Sequence, residues 1–293
     1  MKKILITGAS GFLGWNLCQE AANQGYNIYG TYFSHWGEIP GINQIKIDLK
    51  DFTELKQLFH QIKPDAVIHL AAASQPNYCQ KHPQESQVIN VTISCNIAGI
   101  CADNSIPLVF TSTDLVFNGL NPPYKETDPV TPVNIYGEQK VMAERDILEI
   151  YPLATVCRMP LMFGYGGLIA QSFIQPMLKM LREGTELNLF IDEFRTITSG
   201  KTAAKGLLLA LVNNYHGILH LGGKERISRY DFIELVLDVF QIRKGKITAC
   251  RQADVKMAAA RPPDVSLDSS LAFSFGYQPL ALREELEQLK GII

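Results

Sequence analysis

Residues 1–17, MKKILITGASGFLGWNL, limit the fold more than any other stretch of the chain. Ile4-Leu5-Ile6-Thr7 reads as a short buried strand. Gly8, Gly11 and Gly14 follow in the spacing G-x-x-G-x-x-G, and a helical pattern begins. Glycine lets the backbone turn tightly and approach a pyrophosphate, and a helix N-terminus offers free N–H groups and partial positive charge. A strand, a glycine turn and a helix in that order make a phosphate-binding device, here for a dinucleotide. The plainer reading is a strand–loop–helix whose small residues serve packing, since the chain holds 22 glycines.

The next segments extend the pattern. Leu13, Leu17 and Ala21 recur on one helical face, Gly25 closes that helix, and Asn27 to Tyr32 is a second strand. In a dinucleotide site the end of this strand meets the adenosine ribose, where an NAD-preferring chain places Asp or Glu. Here Gly30-Thr31-Tyr32-Phe33-Ser34-His35 carries no acid. A 2′-phosphate is therefore not repelled, and Ser34 or His35 is placed to donate to it, although no Arg is present. NADP(H) is favoured as cofactor and NAD(H) stays open. His35 reads equally well as an exposed loop residue.

Gln44 to Ile47 is a third strand, and Asp51-x-x-Glu54 opens a helix as a capping box, which Pro64 ends. Ala66 to Ala72 is almost continuously apolar, as a parallel strand covered on both faces requires. A helix over 85–104, a strand over 108–112, a Pro-rich loop over 118–134, a helix over 136–150 and a strand over 154–158 complete an alternation. That alternation predicts an α/β fold, a Rossmann-type doubly wound parallel sheet. The rhythm breaks at Pro160 and at Gly164, Gly166 and Gly167. Helices are expected near 170–182, 202–213, 229–240 and 282–289, with strands at 187–190 and 218–221. Residues 1–158 are read as the cofactor-binding domain, with 196–222 returning to it, and 159–195 with 223–293 as a smaller substrate-binding lobe.

Composition narrows the function. A net charge of −2 argues against nucleic acid or an anionic membrane as the main partner. Six scattered cysteines without a C-x-x-C read as reduced thiols of a cytoplasm. No metal site is expected, no apolar run is long enough to span a bilayer, and the N-terminus does not read as a signal peptide. A homodimer stays open.

Chemistry enters at Tyr136-Gly137-Glu138-Gln139-Lys140. Residues four apart share a helix face, so the phenol and the ammonium can sit side by side. The Lys charge is expected to lower the Tyr pKa, and the phenol can exchange a proton with a substrate oxygen. The pair follows a strand ending in hydroxyls, Thr111-Ser112-Thr113, one of which can hydrogen-bond the same oxygen.

With these elements in this order the chain resembles the extended short-chain dehydrogenase/reductase family. Within it the chain looks most like the dTDP-4-dehydrorhamnose reductase group. The matching runs are FTSTDLVF at 110–117, YKETDP at 124–129, NIYGEQK at 134–140 and ARPPDVSLD at 260–268. The resemblance implies Tyr136 as general acid, Thr113 as its hydroxyl partner, and Lys140 on the nicotinamide ribose. It implies Gly8, Ser10, Gly11, Phe12, Leu13 and Gly14 on the pyrophosphate, Tyr32 beside the ribose, and Asp48 and Leu49 on the adenine. Leu70, Ala71, Ala72 and Met159 would line the rest of the cofactor path. Asn90 resembles a helix asparagine that supports a proton relay, or is a polar residue packed in the core. Gln75, Asn77, Thr113 and Asp114 would face the sugar, and Arg195 and Arg261 its diphosphate; Arg261 reads equally as a pin for the C-terminal segment. The implied reaction is hydride transfer from NAD(P)H to the 4-keto group of a nucleotide-linked 6-deoxy sugar.

One run departs from the reductase pattern. Arg158-Met-Pro-Leu161 stands where the group has Arg-Thr-Ser-Trp, whose Trp helps hold the nucleotide base. This run, and Ala72-Ala-Ser-Gln-Pro-Asn77, are similar to the relatives that include the regulatory β subunit of methionine adenosyltransferase. A non-catalytic NADP-binding regulatory subunit, or another extended-family epimerase or reductase, are therefore the alternative readings.

Overall fold

The computed structural model describes residues 2–34, 39–168 and 170–293. Seven strands form its central sheet: β1 (Lys3–Thr7), β2 (Asn27–Tyr32), β3 (Asn43–Lys46), β4 (Ala66–His69), β5 (Leu108–Thr113), β6 (Thr155–Met159) and β7 (Gly217–His220). Their order is β7-β6-β5-β4-β1-β2-β3, and every neighbouring pair is parallel. The order reverses between β1 and β4, and a doubly wound sheet opens a crevice for ligands at that point.

Both faces of the sheet are covered, which is why most of β4 and the first half of β5 are apolar. Helix α1 (Phe12–Asn23) lies on one face, and α2 (Phe52–Ile62), α3 (Ile93–Asp103) and α4 (Ile135–Ile150) on the other. On the first face Ile4, Ile6, Ile28 and Ile68 meet Leu17 and Ala21 of α1. On the second, Leu5, Val67, Phe110 and Val156 meet Leu55, Ile97 and Ile147.

Helix α5 (Ile174–Arg182) begins later than the sequence pattern indicates, because Ala170–Gln171 pairs with Tyr165–Gly166. Helix α6 (Gly200–Val212) and β7 then complete the first face. Ala203, Ala204 and Leu207 join the α1 cluster, and a Cβ on Gly200 would lie 2.6 Å from the Phe12 ring. A separate apolar cluster joins α5, helix α7 (Arg229–Val239), helix α8 (Leu282–Glu287) and the strand Glu186–Phe190. That strand pairs in parallel with Lys246–Cys250, a mostly exposed segment with no apolar alternation to announce it.

Local details differ from the sequence pattern for physical reasons. β4 stops at His69, three residues early, where the N–H groups of Leu70 and Ala71 turn to the Thr7 hydroxyl and Leu70 N shares its bond with the Thr7 carbonyl. The helix over 85–104 is continuous from Pro83, but Val88–Thr92 within it is a π-turn. Asp51 caps α2 by accepting from the N–H groups of Thr53 and Glu54. The reciprocal bond of a capping box is not made, since Asp51 N donates to the Asp48 carbonyl.

Candidate functional site

A cleft of about 580 Å³ opens where the sheet order reverses. Gly8 leaves β1 with φ +70°, and a Cβ there would lie 2.9 Å from the Ala71 backbone, so the β1 and β4 turns touch. Gly14 is tighter, with a Cβ position 2.2 Å from the Gly8 carbonyl oxygen. Helix α1 starts at the cleft with no side-chain cap and no acid in its first turn. Its first N–H groups are therefore open to an anion. Gly8, Ser10, Gly11, Phe12, Leu13 and Gly14 line this end. The fit to a dinucleotide pyrophosphate rests on that bare helix start and on glycines no larger residue can replace.

The opposite rim is formed by Tyr32, Ser34, Asp48 and Leu49, joined by Thr31, Phe33, Ile47 and Lys50. His35 lies outside the described residues. Lys50 was not anticipated from the sequence. Its Nζ is 3.9 Å from an Asp48 oxygen and 5.8 Å from the Phe33 ring centre. This cation arrives from the loop after β3, not from the end of β2.

Leu70, Ala71, Ala72 and Met159 line the floor, with Ser74, Ile89, Ile93 and Met162 as further neighbours. A buried polar chain holds the floor's loop. Asn90 accepts from Ala73 N at 2.8 Å, and its amide donates to Ala73 O and to Gln139 Oε1. Ser94 donates to the Asn90 carbonyl, so it accepts from His69 Nε2, and His69 Nδ1 then accepts from Thr7. Burial, then the Lys140 charge, lower His69 to about 3, which keeps the ring neutral. Asn90 does not line the cleft. Both ends of its amide support the Ala73 loop and Gln139. The π-turn carrying Asn90 aims it there.

Tyr136 and Lys140 line the inner end of the cleft beside Thr111 and Ser112. Asn134 caps α4 by accepting from Gly137 N, which fixes the first turn and the Tyr136 it carries. Lys140 is 2 % exposed, and its Nζ donates to Thr111 O at 2.6 Å. Burial lowers it to about 7, against the pull of Glu144. The Tyr136 pKa moves upward, not down. Burial is the main cause and the Asp114 charge the next, while the Thr113 hydroxyl and Arg195 oppose it. The expected lowering by Lys140 is absent from the Tyr136 shift, and the Lys140 ammonium is directed at the Thr111 carbonyl oxygen.

Thr113 lies at the end of β5. Its hydroxyl donates to Asp114 Oδ1 at 3.1 Å and accepts from Leu115 N. Asp114 is buried and bound by Arg195 Nη1 at 2.6 Å, while Arg195 Nε reaches Glu193 at 3.1 Å. Asp114 and Arg195 thus pair with one another in an internal ion chain. Gln75 is exposed and caps Pro76–Lys81 through its carbonyl. Asn77 Oδ1 accepts from Ala259 N and from Arg261 Nη2, both at 3.2 Å. Arg261 therefore pins residues 259–261 to that helix. None of Gln75, Asn77, Thr113, Asp114, Arg195 or Arg261 lines the cleft itself.

Behind the site Arg158 forms a buried pair with Glu144 at 2.8 Å, and its Nη1 lies 3.3 Å from His220. All six cysteines are free, four of them buried. Among the described residues no cluster could hold a metal, and no helix is long and apolar enough to cross a membrane.

Comparison with known proteins agrees with this architecture. The chain is 27% identical over 276 residues to methionine adenosyltransferase 2 subunit beta of Danio rerio, covering 92% of this chain and 83% of that protein. It is 28% identical over 292 residues to the probable low-salt glycan biosynthesis reductase Agl14 of Haloferax volcanii, covering 98% and 96%. The structure of a dTDP-4-dehydrorhamnose reductase from Clostridium acetobutylicum superposes with a TM-score of 0.88 at 25% identity, covering 99% of both chains. Residues 1–290 match the family described as the RmlD substrate binding domain, and the chain belongs to that family.

Proposed function

We propose that this protein is an NADP(H)-dependent oxidoreductase that reduces the 4-keto group of a nucleotide-linked 6-deoxy sugar. The observation that carries the reading is the meeting of Tyr136 and Lys140 with the bare start of α1 in one cleft. The likeness to the Clostridium reductase and to Agl14 supports it.

The cofactor supplies a hydride when bound. Gly8, Gly11 and the first N–H groups of α1 would hold its pyrophosphate, and Lys50 and Ser34 would face its adenosine ribose from the rim. Tyr136 donates the proton that the developing alkoxide needs, so a raised phenol pKa keeps it in the acid form. Thr113 holds the phenol from the far side. Lys140 is fixed through Thr111 O beside the nicotinamide ribose. Residues 159–195 and 223–293 form the substrate lobe over the cleft. NAD(H) is the weaker cofactor.

The test is consumption of NADPH with a dTDP-4-keto-6-deoxy sugar. Tyr136→Phe is expected to lower kcat by about 10²–10⁴ while NADPH still binds. Full turnover in that variant removes the acid role.

A second reading follows from the likeness to methionine adenosyltransferase 2 subunit beta. On it the chain binds NADP and a partner enzyme without turnover. Wild-type protein that binds NADPH, turns over no keto sugar and forms a stable complex with a methionine adenosyltransferase catalytic subunit favours this second reading.

A further inference from the structure

Beyond the inner end of the cleft, three arginines surround one carboxylate. Phe194–Arg195 pairs antiparallel with Ile227–Ser228, which sets Arg229 opposite Glu193, and Arg229 N donates to Glu193 O at 3.2 Å. Phe194 also bridges to Asp264 on its other side, which brings Arg261, three residues earlier, to the same cluster. Arg195 is paired with both Asp114 and Glu193. Arg229 is not. It makes no ion pair among the described residues, its Nη1 is buried without a hydrogen-bond partner, and its guanidinium only stacks 4.5 Å from the Phe173 ring. Arg261 is held by the neutral acceptors Asn77 Oδ1 and Ala259 O. Three cations, Arg195, Arg229 and Arg261, face two carboxylates, Asp114 and Glu193, so the cluster carries one surplus positive charge.

A buried guanidinium donor without an acceptor is a standing cost, and a ligand oxygen removes it. Burial and the charges of Arg195 and Arg261 press Arg229 toward losing its proton, with only Glu193 opposing. An arriving anion relieves both strains. A guanidinium with an unpaired N–H donor suits a phosphoryl oxygen.

We propose that Arg229, with Arg261, anchors a pyrophosphate group of the substrate, and that Arg195 is the internal strut holding Glu193 and Asp114 between this anchor and Tyr136. This rests on the nucleotide-sugar reading and moves the anion contact from Arg195 to Arg229. The strut continues through Asp114 to Thr113, so a diphosphate at Arg229 leaves the sugar on the Tyr136 side. The same chemistry serves a nucleoside diphosphate or free pyrophosphate.

The test is calorimetric titration of dTDP, UDP and inorganic pyrophosphate into the NADPH-saturated full chain. The cofactor then blocks its own phosphate site. The proteins are wild type, Arg229→Gln, Arg229→Lys, and Arg283→Gln as an exposed control whose partner is Asp238. Expected are nucleoside diphosphate binding by wild type, a loss of about tenfold or more in Arg229→Gln, an intermediate loss in Arg229→Lys, and no change in Arg283→Gln. NADPH affinity stays constant. Tm of Arg229→Gln is unchanged or higher, since a buried charge without an ion pair is gone. Equal dTDP affinity in wild type and Arg229→Gln overturns the anchor and leaves the nucleotide-sugar reading standing. A lower Tm with equal affinity marks a structural arginine and overturns it too. Pyrophosphate binding as tight as dTDP supports the anchor and assigns it to the free anion. Wild type that binds none of the three overturns both the anchor and the nucleotide-sugar reading.

Discussion

Lys140 Nζ donates to the Thr111 carbonyl oxygen at 2.6 Å while lying 3.9 Å from the centre of the Phe110 ring. Its burial brings the pKa from 10.5 to about 7. The unfolded chain keeps that proton until about 10.5, so between about 7 and 10.5 unfolding takes up a proton. The cost of the buried charge is fully present below the lower value and fades as pH rises. Wild type is therefore expected to gain stability relative to Lys140→Met from about pH 7 upward, by an amount on the order of a few kcal/mol. Urea midpoints of the two proteins across that range check it; parallel curves would show that Lys140 keeps an ordinary pKa.

Lys50 is the one cation on the adenosine rim of the cleft among the described residues. A partly exposed charge pair contributes modestly, so Lys50→Ala is expected to weaken NADPH by about 1 kcal/mol, roughly fivefold. NADH, which lacks the 2′-phosphate, is expected to change little. Fluorescence titration with both nucleotides reads the difference, and equal losses would remove Lys50 from 2′-phosphate recognition.

Gly11 and Gly14 look alike in sequence but differ in space. A Cβ at Gly14 would sit 2.2 Å from Gly8 O and 2.7 Å from Ala9 Cα, whereas one at Gly11 meets only Gly8 O at 3.3 Å. Gly14→Ala is expected to cost about 3 kcal/mol or more, Gly11→Ala about 1 kcal/mol. Chemical denaturation of the pair gives the ranking.

Glu144 is 4 % exposed and accepts from Nε and Nη2 of Arg158. Glu144→Ala strands the guanidinium next to His220, which burial already holds near 3. The expected loss is about 3–5 kcal/mol, and Glu144→Leu with Arg158→Met is expected to recover much of it. A double variant no better than Glu144→Ala would show that packing, not the lone charge, sets the cost.

What was legible in the sequence is local. The Ile4–Thr7 strand, the glycine turn and the Tyr136/Lys140 pair each depend on residues a few positions apart, and the periodicity of α4 follows from them. What escaped depends on partners far along the chain. Arg195 has its role set by Asp114, 81 residues away. Asn90 is turned by a π-turn that no residue type announces, and Gln139, 49 residues on, takes its second amide bond. Lys246–Cys250 has no apolar alternation, and only Glu186–Phe190 makes it a strand. His69, inside an apolar run, and Asn90 were the visible signals of the buried polar chain beneath the cleft.

The contact between Phe12 and Gly200 sets an order in time. The α1 face of the cofactor cleft is closed by α6 and β7, made near the end of the chain, so a nascent chain carries the glycine turn with its flank uncovered until residue 220 has been synthesised. Leu17, Ala21 and Ile4 wait exposed for Ala203 and Leu207 over that interval.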